Sequence, residues 1–267
     1  MTSTPSTRAA VVPAPASVAP AIAACYLGGA DPLVPERFLR ALSSRPVPVM
    51  AAGELAMQTQ AGANPLLDVL AACARRLRDE APETTGATPH ATPPLLIAHG
   101  LGAMLAAELA CLDGLDSAPR APLVLISPLG LWLDAHPLAN LLALGPDAAT
   151  GLLWHDPAHP DARRMQAHWP ARGMNALSRI AWPFAEHGLR HRLPHLRRRV
   201  LVIAGAQDRF TPPAYARAFV ERLPAGQASL AIMPDCGHLP MHERPDATAA
   251  AIHAFIAGLT PTNRSTE

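Results

Sequence analysis

The stretch that most constrains this chain is Pro93 to Ala110, reading Pro-Pro-Leu-Leu-Ile-Ala-His-Gly-Leu-Gly-Ala-Met-Leu-Ala-Ala-Glu-Leu-Ala. An apolar run closed off by two prolines reads as a buried strand, and the alanine- and leucine-rich run after it reads as a helix. Between them Ala98-His99-Gly100-Leu101-Gly102 must turn the chain abruptly. Similar apolar runs recur at Ala21–Leu27, Pro46–Ala51, Leu123–Pro128, Arg199–Gly205 and Ala228–Met233. Helical patterns separate them at Glu36–Ser43, Leu66–Glu80, Ala214–Arg222 and Pro245–Leu259, with Asn64 and Pro65 suited to cap and start the second. Strands apolar on both faces and alternating with helices predict an α/β architecture, a mostly parallel central sheet flanked by helices.

A length of 267 residues suits one large domain, or a domain with an insertion. Residues 1–20, rich in Thr, Ser, Pro and Ala, read as a disordered or irregular arm, and 261–267 as a tail. Residues 21–128 and 198–260 carry the strand–helix alternation, with a loop at 81–92. The segment 129–197 breaks that alternation: short apolar pieces mix with Pro, His and Arg, and all four tryptophans lie there.

The net charge of +1 argues against nucleic acid or an anionic membrane as the main partner. Cys25, Cys73, Cys111 and Cys236 form no Cys-x-x-Cys pair and fit no zinc spacing, so they read as buried free thiols in a reducing compartment. Met1 to Pro20 lacks the apolar core of a signal peptide, and no segment reaches the length of a transmembrane helix. A cytoplasmic protein is the expectation. His155 with His159, and His187 with His191, are each four apart, but Pro157 and Pro160 break the first pair's helix. No carboxylate stands at a clear third-ligand spacing, so neither a metal nor another cofactor is expected. The basic run Arg190, Arg192, Arg197, Arg198 and Arg199 reads as a solvated face before a strand.

The turn at 98–102 resembles the nucleophile elbow Gly-x-Ser-x-Gly of the α/β-hydrolase fold superfamily, with Gly100 where the serine would stand. Gly205-Ala206-Gln207-Asp208-Arg209-Phe210-Thr211-Pro212 resembles that family's Gly-x-x-Asp-x-x-x-Pro, and Gly237-His238-Leu239-Pro240 its Gly-His-x-Pro. The resemblance runs from Ala21 to Gly258. It implies that Asp208 and His238 are the acid and base of a triad, in the family's chain order. It implies an oxyanion hole from backbone N–H groups of Leu101 and of Leu27 or Gly28. It also implies that 129–197 is a helical cap over a hydrophobic pocket lined by His99, Trp132, Trp154 and Trp182. The same tryptophans could instead pack a small helical core. Asp208 could merely cap the helix after Pro212-Pro213, with His238 a loop histidine.

Three departures stand out. The His-Gly loop of the family is Gly28-Gly29 here, which could be a plain turn. Ala51-Ala52-Gly53-Glu54 replaces its Asp-x-x-Gly-x-Gly turn, and residues 1–20 leave little room for its amino-terminal hairpin. A glycine at the elbow avoids the ~1–3 kcal/mol that a sparsely populated backbone conformation costs a residue with a Cβ. It also removes the atom that would form an acyl-enzyme. His99 should point away from the Gly100 position, Ser127 reads as a strand-end hydroxyl and Cys236 as structural. Two readings follow. In one, a His238–Asp208 dyad acts without a covalent intermediate on a small apolar ester, thioester or diketone. In the other, the protein is an inactive relative that binds a hydrophobic ligand or a protein partner. The sequence leaves the oligomeric state open.

Overall fold

A computed structural model describes residues 10–12, 19–29, 33–59, 64–79, 95–112, 121–170, 173–181 and 188–259. Seven strands form one sheet: β1 (Ala10–Val12), β2 (Ala24–Gly28), β3 (Val47–Ala51), β4 (Leu95–His99), β5 (Leu123–Ile126), β6 (Val200–Gly205) and β7 (Ala228–Met233). Their spatial order is β1-β3-β2-β4-β5-β6-β7. Only β1 is antiparallel, pairing with β3; the other five pairings are parallel. The expected mostly parallel sheet is therefore the fold.

Every residue of β2, β4, β5 and β6 is buried, as sequences apolar on both faces require. The helices of the alternation are α1 (Glu36–Leu42), α2 (Ala52–Gln58), α3 (Pro65–Asp79), α4 (Gly100–Leu112), α9 (Pro213–Val220), α10 (Pro240–Glu243) and α11 (Pro245–Ala257). Helical layers flank the sheet, with α1 against α11 and α3 against α4. Asn64 caps α3 as expected, its Oδ1 accepting the N–H of Leu67 at 3.2 Å. α4 is apolar nearly all round because it lies against β2, β4 and β5 and under α3 and α8 (Leu189–Arg192). Its one carboxylate, Glu108, is 2 % exposed and takes both Nε (2.8 Å) and Nη2 (2.5 Å) of Arg192.

Residues 129–197 contain α5 (Pro146–Leu153), α6 (Pro160–Ala167), α7 (Met174–Ala181), α8 and two short 3-10 turns, Leu141–Ala143 and Leu193–His195. No strand occurs there among the described residues. His159 ends up as the N-cap of α6, its Nδ1 accepting the N–H of Asp161, so the pair with His155 shares no helix.

Three elements differ from the sequence expectation. The arm at 1–20 contributes the strand β1, too short to show a pattern of its own and formed by pairing with Val47–Val49. The Ala51–Glu54 turn becomes the start of α2 directly after β3. The single turn α10 follows the His238 loop, four residues being too few for a visible period. The expected loop 81–92, the tail 261–267, Trp182 and His187 lie outside the described residues.

Candidate active site

The sheet brings the motifs together at its carboxyl edge. β4, β5 and β6 are neighbours, so the turn after β4 and the loop after β6 open on the same side, and β7 delivers the next loop beside them. Gly100 begins α4 at φ +56°, the left-handed conformation that favours glycine. Gly102 is needed for closeness: a Cβ there would stand 2.6 Å from the carbonyl of Leu27 and 2.7 Å from that of Gly28. Gly29 lies against the elbow from the other side, its own Cβ position 3.3 Å from the N of Leu101 and 3.7 Å from the N of Gly102. Those two N–H groups belong to the first turn of α4, where no intrahelical acceptor exists and the helix dipole is positive.

Asp208 follows β6 and is 3 % exposed. Its Oδ1 accepts the N–H groups of Phe210 (2.9 Å) and Thr211 (2.8 Å), which shapes the turn before α9. Its Oδ2 accepts the Thr211 hydroxyl at 2.8 Å and His238 Nδ1–H at 2.9 Å. Burial pushes the Asp208 carboxyl up, but the charge of His238 and the hydrogen bonds from His238 and Thr211 outweigh it. The group sits below the ordinary carboxylate value.

With Nδ1–H donated to a carboxylate, Nε2 of neutral His238 is the basic nitrogen. It stands 3.7 Å from the Cβ position of Gly100, and no other described atom outside the elbow itself comes within 4 Å of that point. The ring is held edge-on by Phe210 and by His99, each with centroids 5.0 Å away. His99 Nε2 lies 3.0 Å from the carbonyl of His238 and must donate to it, so His99 supports the loop from below.

The expected residues thus divide. Gly100, Leu101, His99, Asp208 and His238 converge. Leu27 lies against the elbow through its carbonyl, beside Gly102; β2 runs on through Gly28, so Leu27 is paired on both sides, with Met50 and Ala98, and its side chain is fully buried. Gly28 ends that strand, and Gly29 is the residue beside the elbow N–H groups. Trp132 is 39 % exposed and donates Nε1 to Asp134, a surface placement at odds with a pocket wall. Trp154 is buried, its ring packed against those of His159 (5.2 Å) and His242 (5.8 Å) and its backbone beside Gly237.

Two residues of the site escaped the sequence reading. Thr211 reinforces Asp208, its hydroxyl also 3.1 Å from His238 Nδ1; a Thr three residues after the acid was the available signal. Glu243 accepts the N–H of Gly237 at 2.7 Å, and nothing local in the sequence marks it. Cys236 is buried, and burial with the nearby charge of Glu243 raises its thiol pKa far above the ordinary value, the opposite of a nucleophile. Ser127, at the end of β5, has φ +43° and a buried hydroxyl.

Comparison with known proteins agrees with the fold. The model of the family described as "Alpha/beta hydrolase family" matches residues 59–251, and the chain belongs to that family. No curated protein sequence matches it. Among solved structures it is similar to a bacterial membrane phospholipase A, with 18 % identity and a TM-score of 0.66 over 89 % of this chain and 79 % of that one. It is also similar to a meta-cleavage product hydrolase (CumD) of Pseudomonas fluorescens, with 17 % identity and a TM-score of 0.62 over 91 % and 93 % of the two chains. A third is 2-hydroxy-6-oxo-6-phenylhexa-2,4-dienoate hydrolase of a Rhodococcus species, with 17 % identity and a TM-score of 0.58 over 90 % and 91 %. No described helix is long and apolar enough to cross a membrane.

Proposed function

We propose that the protein is a hydrolase-like enzyme in which glycine has replaced the nucleophilic serine and the His238–Asp208 dyad acts directly on water. The observation that carries this reading is the 3.7 Å between His238 Nε2 and the Cβ position of Gly100, with Nδ1 held 2.9 Å from Asp208. In this reading Nε2 takes a proton from a water above Gly100, and the hydroxide adds to the substrate's carbonyl carbon. The N–H of Leu101 in the first turn of α4 stabilises the resulting oxyanion. Collapse breaks the bond to the leaving group, which takes the proton back from Nε2, giving an acid and an alcohol, thiol or ketone. No acyl-enzyme forms.

The substrate class is a small apolar ester, thioester or diketone; the oxo-dienoate named for the Rhodococcus hydrolase supports the ketone end of that range. Residues 129–197 act as the cap over a core of 21–128 and 198–260. No disulfide joins the four cysteines, three of which are buried, and this suits a reducing cytoplasmic setting.

The test is hydrolysis of p-nitrophenyl butyrate by the wild type and by His238→Ala, beside a fluorophosphonate probe. Turnover that disappears in His238→Ala, with no probe labelling of either protein, is the expected result. Unchanged turnover in the variant removes the dyad from the mechanism. Labelling of the wild type reveals another nucleophile, and no turnover of any ester favours the ligand-binding reading.

A further inference from the structure

The loop that carries His238 is not held by Asp208 alone. We propose that Glu243 is a positioning residue that ties this loop to the helical segment 129–197, so that the setting of the base follows the packing of that segment. The inference rests on the dyad of the proposed function. Glu243 closes the single turn α10 and is 8 % exposed. Its Oε1 accepts the N–H of Gly237, the residue before His238, at 2.7 Å. Its Oε2 accepts the N–H of His155 at 2.8 Å and, more loosely, that of Asp156 at 3.3 Å, just beyond the end of α5. One carboxylate therefore bridges the base-bearing loop and the helical segment.

The two backbones touch at the same place. The N–H of His238 donates to the carbonyl of Leu153 at 2.7 Å. A Cβ at Gly237 would stand 2.6 Å from that carbonyl oxygen and 2.7 Å from the N of His155, so only a hydrogen fits there. Gly237 brings no side chain to restrain the loop, and the restraint must come from its N–H. α10 grips the segment a second time through His242, whose Nδ1 lies 3.1 Å from Asp161 Oδ2 on α6. A buried carboxylate is costly unless donors compensate it, and here its donors are backbone N–H groups of the two parts it joins. Asp208 sets the Nδ1 end of the ring; Glu243 and Leu153 set the backbone from which the ring hangs.

Two variants test this. Glu243→Gln turns one accepting oxygen into an NH2 that faces N–H donors. His155→Pro removes the N–H on the segment side and sets the ring Cδ against Glu243 Oε2, breaking the bridge from the segment without changing any residue of the His238 loop; Trp154, at ψ 140°, accommodates a following proline. The main readout is the proton NMR signal of His238 Nδ1–H, strongly deshielded by its bond to a buried carboxylate. In both folded variants, checked by circular dichroism, this proton exchanges with solvent faster than in the wild type. With p-nitrophenyl butyrate, kcat falls ~10–100-fold with KM nearly unchanged, the scale of an ångström-sized misplacement. A signal present in the wild type and unaltered in both variants overturns the role of Glu243. A signal altered by Glu243→Gln alone overturns the coupling to the segment. Absence of the signal from the wild type overturns the dyad itself. If Glu243→Gln does not fold, His155→Pro decides.

Discussion

Replacing Gly100 by serine is the perturbation whose outcome the geometry defines most closely. The nearest described atom to the new Cβ is His238 Nε2 at 3.7 Å, an ordinary van der Waals contact, so the substitution creates no clash. The cost is conformational, since Gly100 has φ +56° and a residue with a Cβ there is strained by ~1–3 kcal/mol. For chains of about this size each kcal/mol moves Tm by ~2–4 °C, which puts the loss at ~2–12 °C. One of the three χ1 rotamers aims the hydroxyl at Nε2. The parent already has His238 as a general base, so the gain comes from a positioned nucleophile, and hydrolysis of p-nitrophenyl acetate by Gly100→Ser should rise at least ~100-fold over the parent and begin with a burst. A fluorophosphonate should label the variant and not the parent. Gly100→Ala carries the same strain without the hydroxyl and separates stability from chemistry; adding His238→Ala should erase the gain. If Gly100→Ser folds, loses the expected few degrees, and yet gains neither labelling nor rate, His238 does not serve the position above Gly100.

Other expectations follow from the charges. The hydrogen bond from His242, with the charges of His242 and Arg164, outweighs burial and holds Asp161 at about 2. A carboxyl depressed from an ordinary ~3.9 adds stability that is present above about pH 4 and lost as pH falls through about 2. The Tm difference between the wild type and Asp161→Asn should therefore be widest near pH 5 and close towards pH 2; a constant difference would refute the pairing. Arg192→Ala strands Glu108 as a buried, under-compensated carboxylate and should lower the urea-unfolding free energy by ~1–3 kcal/mol. A loss under ~0.5 kcal/mol would mean that water reaches the group. Burial lifts the Cys73 thiol to about 12 and raises that of Cys236 as well. Iodoacetamide at pH 8 should leave both unmodified until denaturant is added, and native labelling of Cys236 would show that the His238 loop opens.

What the sequence made legible is what adjacent residues decide. An apolar run with a helix behind it is written locally, so β4, the elbow and α4 could be read from Leu95 to Leu112. The approach of Asp208 to His238 was legible only through the resemblance of Gly205–Pro212 and Gly237–Pro240 to the family's motifs; the parallel pairing of β6 and β7 sets the two loops side by side. Contacts between distant backbone atoms were not. Glu243 finds donors at His155 and Asp156, 88 and 87 positions earlier, and no local pattern announces them. The apolar run of the sequence stops at Leu27, but the ladder carries on through Gly28, because pairing of the backbone does not depend on the side chain. The tryptophans leave two readings open for a related reason. A large ring signals burial or a binding wall equally well, and only packing shows that Trp154 lies against His159 and His242 while Trp132 stays 39 % exposed.

His99 and His253 show by contrast how His238 is suited to act as a base. His99 spends Nε2 on the carbonyl of His238, and His253 spends Nε2 on the carbonyl of Leu42. Both bonds join segments far apart in the chain, the ordinary task of a histidine in a fold. His238 differs. Its Nδ1 is secured by an Asp208 oxygen that the turn does not require, since Oδ1 alone satisfies the N–H groups of Phe210 and Thr211. Its Nε2 makes no hydrogen bond among the described residues and points to where a side chain at position 100 would begin. His242 gives its Nδ1 to the Asp161 carboxylate in the same way, so it is the aim of Nε2 at the Gly100 position that calls for a use beyond fold stability. Proton transfer to a reacting group is that use, whether or not a serine stands at the elbow to receive it.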